Sequence, residues 1–357
     1  MYLKRFLNLL KQILLNGGLF VLIGFFTYRM VFAKSDFRTI VKLACHGKYG
    51  FLLCGIGMIV LMLCTEAVTM KRNFRLLGEK QSFARCLLYT FTGNFFSGIT
   101  PAATGGQPME IYVMHRTGAS VVKGTLALLM DLAQYQLIIT LLGVTGYLCF
   151  ADMIHRVLGG YVWLLWLGLV LNAGLLFLLL CAMFSQCFIF WLVELAAKAI
   201  SLFSKAKADT FRQNSRSAIE QYKAGAEVFR RHKGYCLINC LLMVGRILAM
   251  HSAPFWVYKA LGLSGASLFQ MISLQAALHI SCAALPFPGG IGISESGFLY
   301  YFQEIFPAPL LQSAMVLSRG IGGYTTIVLC GSLLLTVYVL SWLKKEPWQK
   351  RCPEVDA

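Results

Sequence analysis

Six charged side chains fall within otherwise apolar stretches of the sequence: Glu66, Glu110, Asp131, Arg246, Glu295 and Arg319. A charge in hydrocarbon is costly, so such residues face a polar cavity or one another. Arg246 and Arg319 are suited to gripping a lipid phosphate. Glu110, Asp131 and Glu295 are suited to binding a cationic headgroup, carrying a proton or neutralising those arginines. The plainer alternative is a set of buried ion pairs that only hold helices together. Glu66 lies near one end of its apolar stretch and reads as a snorkelling side chain. His279 sits one turn before a helix break, where a proton-linked role competes with packing; His115 and His251 are isolated. Gln107, Gln134, Tyr135 and Gln136 suit either a polar cavity lining or hydrogen bonds between helices.

Other chemistries find little support. His and Cys nowhere take metal-ligand spacing, and no compact set of nucleophile, base and orienting group is visible. Neither a metal nor a cofactor is expected. Most of the 12 cysteines stand singly in apolar runs (Cys54, Cys64, Cys149, Cys181, Cys330), as small apolar residues in a reduced state do. The chain has 357 residues, 58% of them hydrophobic, and a mean hydropathy of +0.68. Its apolar runs repeatedly exceed about 18 residues, which predicts a polytopic membrane protein. The net charge of +17 would suit nucleic acid, but Lys and Arg cluster between apolar runs, as the positive-inside rule requires. No nucleic-acid partner is expected; some of that charge suits anionic headgroups.

The apolar runs that carry these side chains predict an all-α, inverted-repeat-like membrane protein. Six full spans are expected at about 13–33, 51–70, 123–150, 161–184, 235–258 and 310–343. Two re-entrant broken hairpins are expected at about 83–117 and 266–306, entering from opposite faces. All belong to one transmembrane domain, residues 1–343. The first run follows a basic start, but its length favours an uncleaved helix over a signal peptide. The polar stretch between the first two spans reads as an interfacial helix. Residues 186–233 read as a basic cytoplasmic helical segment, with nine Lys and Arg against three acids from Lys198 onward. Residues 344–357 read as a short cytoplasmic tail. Placing both termini in the cytoplasm puts most of the Lys and Arg inside.

Each hairpin turns at a break rich in proline and glycine. The first reads PAATGGQPME, Pro101 to Glu110; the second reads PFPGGIGISE, Pro286 to Glu295. Non-helical backbone at membrane depth persists only where protein or a wet cavity surrounds it. Paired interruptions of this kind in two halves of a chain are a sign of an inverted-repeat transporter. Half-helix N-termini at Gly105, Gly106, Gly289 and Gly290 would aim N–H groups and a partial positive charge at an anionic group, phosphate foremost. The last helix is expected to tilt or kink at the RGIGG run, Arg319 to Gly323.

The stretches FTGNFFSGITPAATGGQPMEIYVMHRTGAS, TLALLMDLAQYQ and LPFPGGIGISESGF, with an intramembrane SRG downstream, resemble the lysylphosphatidylglycerol synthase transmembrane family. That family is the flippase-like membrane domain of the bacterial multiple peptide resistance factor (MprF) proteins, and the resemblance covers nearly the whole chain. It implies a protein of the bacterial cytoplasmic membrane that moves an aminoacylated or otherwise modified phospholipid, such as lysyl-phosphatidylglycerol, between leaflets. It also implies roles in lipid metabolism and antimicrobial peptide resistance. The implied partners are the membrane, an anionic or aminoacylated phospholipid and a separate lipid-modifying enzyme, with a homo-oligomer left open. In MprF proteins a soluble aminoacyl-transferase domain follows, whereas here only KKEPWQKRCPEVDA follows Leu343. The lysyl-tRNA-dependent phosphatidylglycerol lysyltransferase activity of the family label is therefore not expected of this chain alone. That enzyme is the alternative reading; a scaffold for an envelope enzyme, held through the basic segment, is a third.

Overall fold

A computed structural model describes residues 48–100, 103–185, 219–283 and 293–343, with short pieces between 191 and 201. The expected first span, the interfacial stretch before Lys48, the short tail, Gly289 and Gly290 lie outside the described residues. Among the described residues every regular element is a helix. In chain order these are α1 (Tyr49–Leu76), α2 (Phe83–Ile99), α3 (Gly106–Arg116), α4 (Val121–Leu158), α5 (Val162–Phe184), α6 (Lys233–His251), α7 (Ala253–Ala260), α8 (Leu268–Ala283), α9 (Ile293–Tyr301), α10 (Ala308–Arg319) and α11 (Thr325–Leu343). Among the described residues, four stretches are long and apolar enough to cross a membrane: Tyr49–Leu76, Val121–Phe184, Lys233–His251 and Ala308–Val337. The second of these holds both α4 and α5. Large apolar side chains point outward along them, among them Leu53, Trp163, Val170, Phe177, Leu241 and Val328. A hydrocarbon solvent makes such a surface favourable, as it does in a membrane protein.

Local chemistry fixes the helix ends. Ser82 caps α2, its hydroxyl accepting from the Arg85 N–H at 3.2 Å. α1 and α3 both stop in Schellman motifs. After α1, Gly78 (φ 72°) donates to the Arg75 carbonyl and Glu79 to that of Phe74; after α3, Gly118 (φ 84°) donates to His115 and Ala119 to Met114. The two turns then meet, since Glu79 accepts from the Ser120 N–H at 3.2 Å and lies 3.9 Å from Lys123 Nζ. Between them α2 and α3 fold back antiparallel: Tyr89 bonds Thr117 at 2.6 Å, and Gly93 lies against both Gly106 and Glu110.

A second antiparallel pair is formed by α8 and α9, with Ser281 bonded to the Tyr301 hydroxyl at 2.7 Å and Leu278 packed on Gly297. Its open end rests on Tyr258, whose hydroxyl donates to the Ser264 carbonyl at 2.7 Å and whose ring lies 5.5 Å from that of Phe306. Nearby, Glu304 pairs with Arg156 at 3.4 Å, at the far end of α4. The two helical hairpins therefore open toward opposite ends of α4.

Several elements differ from their sequence-based expectation. α4 does not end at Phe150; it kinks there (φ −130°, ψ 29°) and runs on to Leu158, so Asp152 and Arg156 are helical and Gly159–Tyr161 makes the turn. The expected span at 235–258 is two helices, α6 and α7, jointed at Ser252, with Pro254 in the first turn of α7. At the RGIGG run, where a tilt or kink is expected, the α-helical ladder gives way to a π turn, Gly320–Tyr324, between α10 and α11. Residues 219–231 are helical and docked, with Phe229 buried and the Tyr222 hydroxyl donating to the Ala182 carbonyl at 2.8 Å.

Candidate functional site

α1 and α4 each pass through two apolar cores in succession. Ile59, Met62 and Leu63 of α1 and Ile139 of α4 belong to one core, together with the α8–α9 hairpin. Ala67, Met70 and Phe74 of α1 and Leu126 to Leu128 of α4 belong to the other, together with Tyr89 and Met114 of the α2–α3 hairpin. At the seam sit Glu66 and Asp131, and Arg246 of α6 reaches both. Its Nη2 is 2.8 Å from Glu66 Oε2 and its Nη1 is 2.7 Å from Asp131 Oδ2. Asn94 of α2 donates to Glu66 Oε2 at 3.0 Å, and Thr69 donates to Asp131 Oδ1 at 3.3 Å. The guanidinium is thus forked between two carboxylates, each with a further donor, as a buried ion pair requires. Glu66 does not snorkel: it is 8% exposed and belongs to this triad. The reason is packing, since α6 brings Arg246 to its side of α1.

Glu110 of α3 is also buried, against Gly93 of α2, where a Cβ would stand 2.7 Å from Oε2. Gly105 and Gly106 lie at the first break. The Gly105 N–H is bound by Thr100 Oγ1 at 2.9 Å, and a Cβ on Gly106 would meet Ser97 Oγ and stand 2.7 Å from the Gly93 carbonyl. Close approach of α2 and α3 thus accounts for Gly106, and Gly105 is crowded by Thr100 within the break itself.

At the other hairpin, Glu295 in the first turn of α9 pairs with Arg319 at the end of α10, Oε1 to Nη2, at 3.1 Å. This side chain of Arg319 is 33% exposed, against 14% for Arg246. Between the two charged groups runs a hydrogen bond from α4 to α8, Tyr135 to His279 at 3.0 Å, with the His251 ring 5.6 Å from that of His279. Gln136 bonds Asn172 of α5, and Gln134 donates to the Cys236 carbonyl at 3.3 Å. These polar residues of α4 bridge helices. No group of His, Cys, Asp or Glu among the described residues could hold a metal ion.

Sequence reasoning singled out Glu110, Asp131, Arg246, Glu295 and Arg319. The structure divides four of them between two ion-pair sites and leaves Glu110 beside the first. It missed Asn94 and Thr69, whose signal was weak: a lone Asn in an apolar run, and a Thr one turn beyond Glu66.

No curated protein matches the chain. The family model described as the lysylphosphatidylglycerol synthase TM region matches residues 13–330, and the chain, with its apolar helices and its two helical hairpins, belongs to that family of membrane domains.

Proposed function

We propose that this chain is a lipid translocase of the bacterial cytoplasmic membrane, moving an aminoacylated phospholipid such as lysyl-phosphatidylglycerol from one leaflet to the other. The observation that carries the reading is the Glu295–Arg319 pair. Arg246 is spent on two carboxylates, whereas Arg319 is a third exposed, pairs with Glu295 at 3.1 Å, and sits directly before a π turn. A guanidinium so placed can exchange its carboxylate for a lipid phosphodiester, which it binds with the same fork geometry. Glu295, exchanged off Arg319, then meets the lysyl amine. The lipid thus brings both charges of the pair their replacements, and no charge is left alone in the interior at any stage.

In this reading the hairpins are re-entrant, entering from opposite faces, with both chain termini in the cytoplasm. Acyl chains stay in the bilayer while the headgroup crosses along the polar seam, and the halves rock about it. A separate enzyme supplies the aminoacylated lipid.

The test is reconstitution into vesicles with a fluorescent lysyl-phosphatidylglycerol, following headgroup accessibility to a quencher. Arg319→Ala and Glu295→Gln are each expected to slow translocation on the order of tenfold or more, the low end of what truncating one partner of a buried charge pair costs, because Arg319 is a third exposed. Wild-type rates in both variants would overturn the reading.

A further inference from the structure

Glu110 is unlike the other embedded carboxylates. It is 4% exposed, and its Oε1 is buried with no hydrogen-bond partner. The missing side chain of Gly93 makes the space it occupies. Facing it are Glu66 of α1, Asp131 of α4, Arg246 of α6 and the thiol of Cys86 of α2. Three carboxylates therefore share the field of one guanidinium, and that guanidinium already gives both of its Nη groups to Glu66 and Asp131. Asn94 and Thr69 also serve those two. Glu110 is left buried beside the cluster, against Gly93, with no cation paired to it and no donor on Oε1, an arrangement that a buried charge does not tolerate. The simplest ligand that completes it is a proton.

We propose that Glu110 is an exchangeable proton site, and that protonation there from one side of the membrane and release to the other couples lipid movement to a proton gradient. The coupling rests on the lipid-translocating reading above; the proton site itself does not. The step is an acid–base exchange. A proton from water joins Oε1 to give a neutral carboxylic acid, and on release it returns to water and restores the carboxylate. While Glu110 is neutral the cluster carries one excess negative charge instead of two, and Arg246 holds Glu66 and Asp131 undisturbed. When Glu110 is charged, it competes with them for Arg246, which ties α3 to α1, α4 and α6 differently. That is the bistable element a coupled carrier needs. The competing cation is the lysyl amine of the lipid.

Two measurements on the reconstituted full chain decide. In infrared difference spectra recorded across a pH step without lipid substrate, the wild type is expected to show the C=O stretch of a titrating buried carboxylic acid. That band should vanish in Glu110→Gln, persist in Glu295→Gln, and shift in Gly93→Ala, whose new methyl displaces the carboxyl without removing it. In vesicles with an imposed pH difference, the steady-state leaflet ratio of lysyl-phosphatidylglycerol should move by up to about tenfold per pH unit for one proton per lipid, with matching proton flux into a trapped pH dye. Glu110→Gln should abolish both responses.

A band without any lipid movement retains the proton site and discards the lipid reading. Lipid movement indifferent to the gradient, with no band assigned to Glu110, retains the lipid reading and overturns this proposal. A band that appears only when lysyl lipid is added assigns the carboxyl to the amine and overturns it as well.

Discussion

Removing Arg246 would strand Glu66 and Asp131 as two buried carboxylates without their counterion. Breaking a buried pair from one side costs about 3–5 kcal/mol, whereas replacing all its members by neutral groups of similar size is close to neutral. Arg246→Met is therefore expected to lower thermal stability in detergent steeply, and Arg246→Met combined with Glu66→Gln and Asp131→Asn to recover most of the loss. If the triple variant is as unstable as the single one, the triad is not what holds α6 to α1 and α4. Glu295→Gln in the more exposed pair should affect stability far less than transport. The sequence displays Asp131 and Arg246 as embedded charges and offers ion pairing among the acids and the two arginines, but not which acid meets which arginine, because 115 residues separate these two and nothing local encodes the meeting. Glu66 was misread for the same reason: its distance from the end of its helix is visible in sequence, while the arginine on a neighbouring helix is not. An arginine in an apolar run does demand carboxylates, and matching Arg246 to two acids instead of one would have found Glu66.

At the scale of elements, the short helix α8 owes its seat to glycines on its neighbours. A Cβ on Gly168 of α5 would run into the carbonyl of Ile280, and Gly143 and Gly146 of α4 receive Ile280 and Ser273 in the same way. Between helices in lipid there is little hydrophobic drive, so close backbone contact supplies the attraction. Gly168→Val is expected to push α8 off α5 and cost about 1–3 kcal/mol, as overpacking does. Gly174→Val on the same helix, where a Cβ would meet nothing within 4 Å, should be silent. Thermal unfolding of the two variants side by side checks this, and equal losses would refute the packing account. Helix positions were legible because apolar runs and breakers such as TPAATGG and RGIGG mark them directly. The extension of α4 beyond Phe150 was not, because Asp152 and Arg156 look like a polar turn. Their reason is tertiary: the extra turns carry Arg156 to Glu304 beside the second hairpin.

For the molecule as a whole, the two cores and the seam between them make α1 and α4 the shared frame, with one hairpin docked at each end. The ends of the first hairpin touch each other through Glu79, Ser120 and Lys123, and those of the second meet on Tyr258. If the chain crosses a bilayer as proposed, this geometry fixes which surface residues share a compartment. In a cysteine-free background, single cysteines at Lys80 and Arg116, both exposed, should react with an impermeant maleimide only from the cytoplasmic side, because α2 and α3 return to the face they left. Cysteines at Ser264 and Ala308 should react only from the outer side, as should one at Asp152 on the extended end of α4. Labelling of Lys80 and Arg116 from different sides would mean that α2 or α3 crosses alone. The 17 residues of α2 and 11 of α3, at about 1.5 Å each, are too short to span about 30 Å of hydrocarbon. The same length argument, applied to the 16 residues of α8 and 9 of α9, leaves their meeting with α10 inside the bilayer, where Glu295 and Arg319 stand. Same-side labelling of both hairpins would place both charged sites in one half of the membrane and remove the alternating exposure on which translocation depends.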